Sequence, residues 1–377
     1  MKPHLRKTIL FFIALSFGFS MANLEAQIKL KTESELKDIF VPVFCYHRVT
    51  PDIHSLYDLT PEMLESQLQY LKDEGYHPIT GLQYIKLQKN PEFIPDKPVI
   101  LTFDDGSKGH YQYAFPLLKK YGFLATFFVY PNVVFQDTKK MITWPELAEM
   151  AQAGMDIESH TMSHAYLTKP GADPAGFQYL QWLSEELRGS KTVLEQKLNR
   201  KISLLGYPYG WYNRVVEAEA ARAGYEGAFT VNWGVNRLDE NPFRIKRRVI
   251  SNNLRREDFE RYLSSRPLSL EIIAPPDAAL FTEKPVIRFR VVQREVELVD
   301  ITVRDEKGTV RSDPTGAFTF DNYELRWPGY YQITISGFDD QKRFYQSSWG
   351  FDYRPIAATP SPTFRRAPEV SPSSSRK

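Results

Sequence analysis

The sequence predicts an α/β protein with a parallel, barrel-like sheet, irregular or incomplete in its closure, followed by a small all-β sandwich. Two observations carry this prediction. Apolar, β-prone runs alternate with helical patterns from Val41 to Val231, as in a parallel sheet covered by helices. From Leu268 to Tyr353 the helical periodicity stops, and short alternating segments are separated by turns rich in Pro, Gly and Asp. That pattern is of a sandwich of immunoglobulin-like size. We therefore expect one domain over 38–265 and a second over 268–355.

The elements follow in order. Val41 to Tyr46 reads as a first strand ending in His47-Arg48. Thr60 and Pro61 then open a helix as N-cap and first helical residue, with Met63, Leu64, Leu68 and Leu71 at near-helical spacing and Gly75 as its stop. Gly81 to Leu87 is a second short helix. Val99 to Phe103 is a buried strand, and it ends abruptly in Asp104-Asp105-Gly106. A helix from His110 to Tyr121, a strand from Ala125 to Tyr130 and a helix from Trp144 to Ala153 come next. Met155 to Glu158 is a strand running into Ser159-His160. A long helical pattern covers 175–199, and it is followed by a strand (Ile202–Leu205), a helix (Tyr212–Ala223) and a strand (Gly227–Val231).

The two ends read differently. Lys2, Arg6 and Lys7 precede an apolar stretch from Ile9 to Phe19, and Ala22 and Ala26 follow. This is the layout of a secretory signal peptide over residues 1–26, too short for a comfortable membrane span. An exported protein, periplasmic or extracellular, is expected, membrane-anchored if the segment stays uncleaved. Removing 1–26 takes away three basic residues and Glu25 and turns a formal charge of +2 into zero. Neutrality gives no electrostatic case for a nucleic-acid partner. A single cysteine, Cys45, excludes an internal disulfide framework and reads as a buried small hydrophobe. Residues 356–377 are rich in Pro, Ser, Thr and Arg, the composition of a disordered tail.

Three stretches at strand ends hold the chemistry. Two adjacent carboxylates beside a core are costly unless a metal, a proton or a cation pairs with them, although Asp also caps turns. His160 and His164 are two of only seven histidines, and from a helical turn two imidazoles four residues apart can face one point. With one carboxylate they make a three-ligand set with open positions, as catalytic metal sites have. Gly206-Tyr207-Pro208-Tyr209-Gly210 would let the backbone approach a ligand and aim an amide N–H into a cleft.

Thr102-Phe103-Asp104-Asp105-Gly106, His160-Thr161-Met162-Ser163-His164 and Tyr207-Pro208-Tyr209-Gly210 together resemble the motifs of the polysaccharide deacetylase family, the carbohydrate esterases that share the deacetylase domain of nodulation enzymes. The resemblance covers roughly 38–265 and implies an irregular deacetylase barrel. It implies that Asp105, His160 and His164 bind a divalent metal, zinc first with cobalt or nickel as alternatives, and that Asp104 is the general base. The Tyr209 N–H, with Pro208 beside it, would hold the oxyanion and substrate. Two departures stand out. Gly206 occupies the place where family members often carry arginine, and no histidine follows His164 to serve as the acid. His47 after the first strand is then the expected acid, similar to the subgroup of exported poly-N-acetylglucosamine deacetylases with permuted motifs. Arg247-Arg248 are expected to pair with acidic groups near the cleft. The expected substrate is an acetylated polysaccharide, with O-acetyl ester hydrolysis on a xylan-like glycan, or carbohydrate binding by a decayed site, as alternatives. The β region is a candidate for docking an envelope or export partner.

Overall fold

The computed structural model describes residues 31–355 except 135–138, 169–175, 305 and 308–309. The expected signal segment, 1–26, and the Pro/Ser-rich tail, 356–377, lie outside the described residues. Among the described residues, no helix is long and apolar enough to cross a membrane.

Eight strands build the first sheet: β1 (Val43–Tyr46), β2 (His77–Ile79), β3 (Pro98–Asp104), β4 (Thr126–Val129), β5 (Asp156–Ser159), β6 (Leu204–Gly206), β7 (Gly227–Phe229) and β8 (Arg248–Val249). Their order is β7-β6-β5-β4-β3-β1-β8, with β2 on the start of β3, and every pairing is parallel. Parallel strands are covered on both faces, which explains their near-continuous apolar runs. β1 and β3 are buried along their whole length.

Two strands of this sheet, β2 and β8, are not marked in the sequence, and β8 decides the closure. Ile245 N–H donates to the Ala228 carbonyl, Thr230 N–H to the Ile245 carbonyl and Arg247 N–H to the Asn232 carbonyl, on the β7 side. On its other side the same segment, as β8, pairs with Phe44 and Cys45 of β1. The stretch 245–249 thus stitches the two sheet edges together. Two residues of regular strand, Arg248 and Val249, are too short a run to carry a periodicity visible in sequence.

Side-chain alternation sorts the barrel. Phe44, Tyr46, Leu101, Phe103, Phe127, Val129 and Ile157 pack against helices Pro61–Asp73, Phe115–Tyr121 and Trp144–Gln152 in one apolar cluster. The alternate positions, Val43, Ile100, Phe128, Leu204 and Phe229, form another. Thr60 is the N-cap the sequence predicts, and Thr80 and Asn213 likewise accept backbone N–H bonds as N-caps, the helix after Asn213 starting at Arg214 rather than at Tyr212. The expected helices over 110–121 and 175–199 each contain a π-turn, His110–Ala114 and Glu185–Gly189. A helix at Arg256–Leu263, unmarked by our reading, closes the first region.

The remaining strands are β9 (Arg266–Pro267), β10 (Leu270–Ala274), β11 (Ala279–Phe281), β12 (Ile287–Val291), β13 (Glu297–Val303), β14 (Glu306–Lys307), β15 (Val310–Ser312), β16 (Ala317–Phe320), β17 (Gly329–Phe338) and β18 (Phe344–Tyr353). They form one sheet ordered β10-β12-β16-β15 and another ordered β11-β18-β17-β13-β14, with β9 beside β18. Ile287, Phe289 and Phe320 of the first meet Ile333, Ile335, Trp349 and Phe351 of the second in a shared core. The pairings are antiparallel except at β18, which pairs in parallel with both β9 and β11.

Candidate active site

The motif residues converge where β1, β3, β5 and β6 end. Asp104 closes β3 facing Phe128 of β4 in register, and it is 2% exposed. A lone buried carboxylate would be costly, but Arg247 grips it with two parallel bonds, Nη1 to Oδ1 at 2.7 Å and Nη2 to Oδ2 at 2.8 Å. Arg247 is itself fully buried, and it also donates to the Thr230 carbonyl and the Thr102 hydroxyl. Burial alone would push the Asp104 pKa up, yet Arg247, with His160, holds it down to about 2. Cys45 is buried as expected but does more than fill space. Burial pushes its pKa well up, so it stays a thiol and donates from Sγ to Asp104 Oδ2 at 3.3 Å.

Asp105 begins the turn with a left-handed backbone, φ +78°. Its Oδ1 lies 3.2 Å from His164 Nε2 and 3.5 Å from His160 Nε2. His160 and His164 do not come from a helical turn, as the spacing suggested. They sit in an irregular turn in which Thr161 and His164 have positive φ. That turn is pinned from outside by Glu186, which accepts from Met162 N–H (3.1 Å), Ser163 N–H (3.0 Å) and the Ser163 hydroxyl (2.6 Å). Glu186 comes from the π-turn, and nothing in its local sequence marked it.

His160 Nδ1 lies 2.8 Å from the Gly206 carbonyl and donates to it, which turns Nε2 with its lone pair toward the carboxylates. Burial would lower the His160 pKa, but Asp104 and Asp105 outweigh it, and the net shift is upward. Asp105 Oδ1 is buried and has no hydrogen-bond partner although two imidazoles stand within 3.5 Å. An orphan carboxylate oxygen facing two imidazole nitrogens, all within 4.8 Å, is a donor set that fits a divalent cation.

His47 follows β1 directly, and it offers a ring nitrogen within 4.8 Å of ligand atoms of Asp104 and Cys45. Pro208 is buried at the start of the turn after β6, and Tyr209, φ +60°, is 44% exposed. The Tyr209 ring meets His164 edge-on at 4.7 Å and stacks on Tyr166 at 3.8 Å. The structure thus brings Asp104, Asp105, His47, His160, His164 and Tyr209 together, with Pro208 beside Tyr209 in its turn. Arg248 is stacked between Trp233 and Tyr262, at 3.8 and 4.1 Å from the ring centres.

The chain is similar to known proteins. The polysaccharide deacetylase family model matches residues 94–228. A Bacillus subtilis (strain 168) protein named for polysaccharide deacetylation, YxkH, is 30% identical over 236 residues, 63% of this chain and 79% of that protein. The poly-β-1,6-N-acetyl-D-glucosamine N-deacetylase of Staphylococcus epidermidis is 28% identical over 201 residues, covering 52% of this chain and 69% of its own length. Among solved structures, the Streptococcus pyogenes deacetylase PplD in complex with acetate superposes with a TM-score of 0.54 at 28% identity over 60% of this chain and 98% of its own. IcaB from Ammonifex degensii gives 0.51 at 26% identity, over 57% and 93%. Motif, barrel and relatives agree in kind, and the chain belongs to the polysaccharide deacetylase family of hydrolases.

Proposed function

We propose that this protein is exported and removes N-acetyl groups from an N-acetylglucosamine polymer outside the cytoplasm, with Asp104 as general base and His47 as general acid. The observation that carries the reading is the Asp105–His160–His164 group, with its orphan Oδ1, set beside an aspartate locked by a buried arginine. The glycan assignment is supported by the 28% identity to a poly-β-1,6-N-acetyl-D-glucosamine N-deacetylase.

Asp105, His160 and His164 would hold the cation, zinc by preference and cobalt or nickel as substitutes. When bound, such an ion acidifies water and polarises an amide carbonyl. Asp104 accepts the proton of the attacking water, and Arg247 and the Cys45 thiol keep its oxygens oriented for this. The backbone N–H of Tyr209 donates to the oxyanion that develops on the acetamide carbonyl, beside Pro208. His47 gives its proton to the nitrogen as the C–N bond breaks, so the products are acetate and a free amine.

The test is acetate release from a panel of N-acetylglucosamine polymer and acetylated xylan. Asp104→Asn should lower the rate by about 100-fold or more, and EDTA should abolish activity that zinc, cobalt or nickel then restores. Unchanged release in Asp104→Asn would overturn the base assignment. Activity confined to xylan would replace the amide with an ester as substrate.

A further inference from the structure

We infer that His110 is a positioning residue that holds the proton donor His47 in place through its backbone carbonyl. The inference rests on the reading of His47 as the acid. His47 lies one residue past the end of the β1 ladder, whose last pair is Tyr46 with Phe103. Beyond that point Leu59 holds Arg48 and Thr50 through backbone bonds, and the His47 carbonyl itself takes its bond from another group.

His110 supplies the bond. Its Nε2 lies 2.7 Å from the His47 carbonyl oxygen, and the ring is fully buried. It is wedged against Phe103 and Phe127, with ring centres at 5.5 and 5.7 Å. Burial lowers its pKa to about 4, so the ring is neutral at working pH and carries one N–H. A carbonyl can only accept, so that proton sits on Nε2, and Nδ1 is left buried without a partner.

Two further observations bind the same segments. A Cβ at Gly109 would fall 1.7 Å from the Val49 carbonyl oxygen, so 109–110 lies directly against 47–49 and only glycine permits the approach. His110 is also the first residue of the π-turn, whose extra residue rotates the helix start relative to the α-helix that follows.

The His47 ring needs this support. Its Nδ1 is buried with no hydrogen-bond partner, whereas catalytic imidazoles are usually oriented through the second ring nitrogen. Its ring contact is Tyr57, at 5.5 Å. With the second nitrogen unanchored, the backbone sets where the acid stands, and a displacement of about 1 Å can cost about 100-fold in rate.

The test separates positioning from bulk stability by the leaving group. An amine must be protonated to depart, and a nitrophenolate need not be. His110→Phe and His110→Met remove the donor while keeping an apolar filler. Each should lower kcat on an N-acetylglucosamine oligomer by about 10- to 100-fold, with KM and bound zinc unchanged. 4-Nitrophenyl acetate hydrolysis should stay within about twofold of wild type. His110→Gln, which can still donate, should recover most of the amide activity. Equal losses on amide and ester, or no loss on amide, would overturn the inference. His47→Ala is run alongside: full amide activity there would overturn the reading of His47 and this inference with it. A loss in His47→Ala without one in His110→Phe or His110→Met would overturn the inference alone.

Discussion

Asp104 and Glu158 are both buried carboxylates, and they are stabilised in opposite charge states. Asp104 keeps its charge because a guanidinium grips it. Arg247→Met would leave that charge unpaired, and we expect a loss of about 3–5 kcal/mol in unfolding free energy at pH 7, measured by urea denaturation. Glu158 is the reverse. It is fully buried, Oε2 accepts from Ser203 N–H (2.8 Å) and Leu204 N–H (2.7 Å), and Oε1 has no partner. Burial, followed by the charge of Asp156, pushes its pKa from 4.5 up to about 8. Between those values the unfolded chain has released a proton that the folded chain retains, so stability falls as pH rises across this window. Asp156, also raised by burial, contributes with the same sign. Glu158→Gln removes one titration, so the melting temperature should vary less between pH 5 and pH 8 than in wild type, as calorimetry would show.

The elements that serve the site are its turns. Gly206 closes β6, and its carbonyl orients His160. A Cβ there would lie 2.8 Å from Phe128 Cγ and 3.0 Å from His160 Nδ1, two ring atoms that cannot swing away. A larger side chain therefore has little room at 206, and the guanidinium on Asp104 comes from Arg247, on the segment that stitches the barrel shut. We expect Gly206→Ala to cost about 1–3 kcal/mol through overpacking, and to weaken zinc retention in dialysis by displacing His160. Both π-turns deliver a residue to a site turn, His110 to His47 and Glu186 to Met162 and Ser163. Each inserted residue shifts the apolar stripe by one position, too slight a break over five residues for periodicity to mark.

At the scale of the whole molecule, the β region is built onto the loops of the site. Tyr330 exchanges hydrogen bonds with Asn232 beyond β7, at 2.8 and 3.0 Å. Asp277 accepts from Tyr212 and Arg244, Asp352 from Asn213, and Ser348 donates to the Trp233 carbonyl. Arg354 reaches the Thr168 carbonyl, close to the His160–His164 turn. Ala278 and Tyr330 belong to the same apolar cluster as Tyr207, Tyr212 and Leu205. We propose that residues 268–355 act as a buttress for the loops after β6 and β7. A chain ending at Ser265 should lose acetate release and melt well below the full chain, and a fragment with full activity would overturn the buttress.

Much was legible in order along the chain. Strand ends, caps and the three motifs are local: an apolar run that stops at Asp104-Asp105, a Thr before a helix, two histidines in five residues. These were enough for the fold class and for naming the candidate site residues. What only the tertiary structure decided is non-local. Arg247 meets Asp104 across 143 residues, Cys45 meets it across 59, and His110 reaches His47 across 63. Arg247 is expected in sequence to meet an acidic group near the cleft, but which one, and that Cys45 and His110 take part at all, depends on the sheet order that brings β1, β3 and β8 side by side. Asp104 and Asp105 differ for the same reason. Strand alternation turns the first inward to a buried arginine, and the left-handed turn sends the second to the two imidazoles.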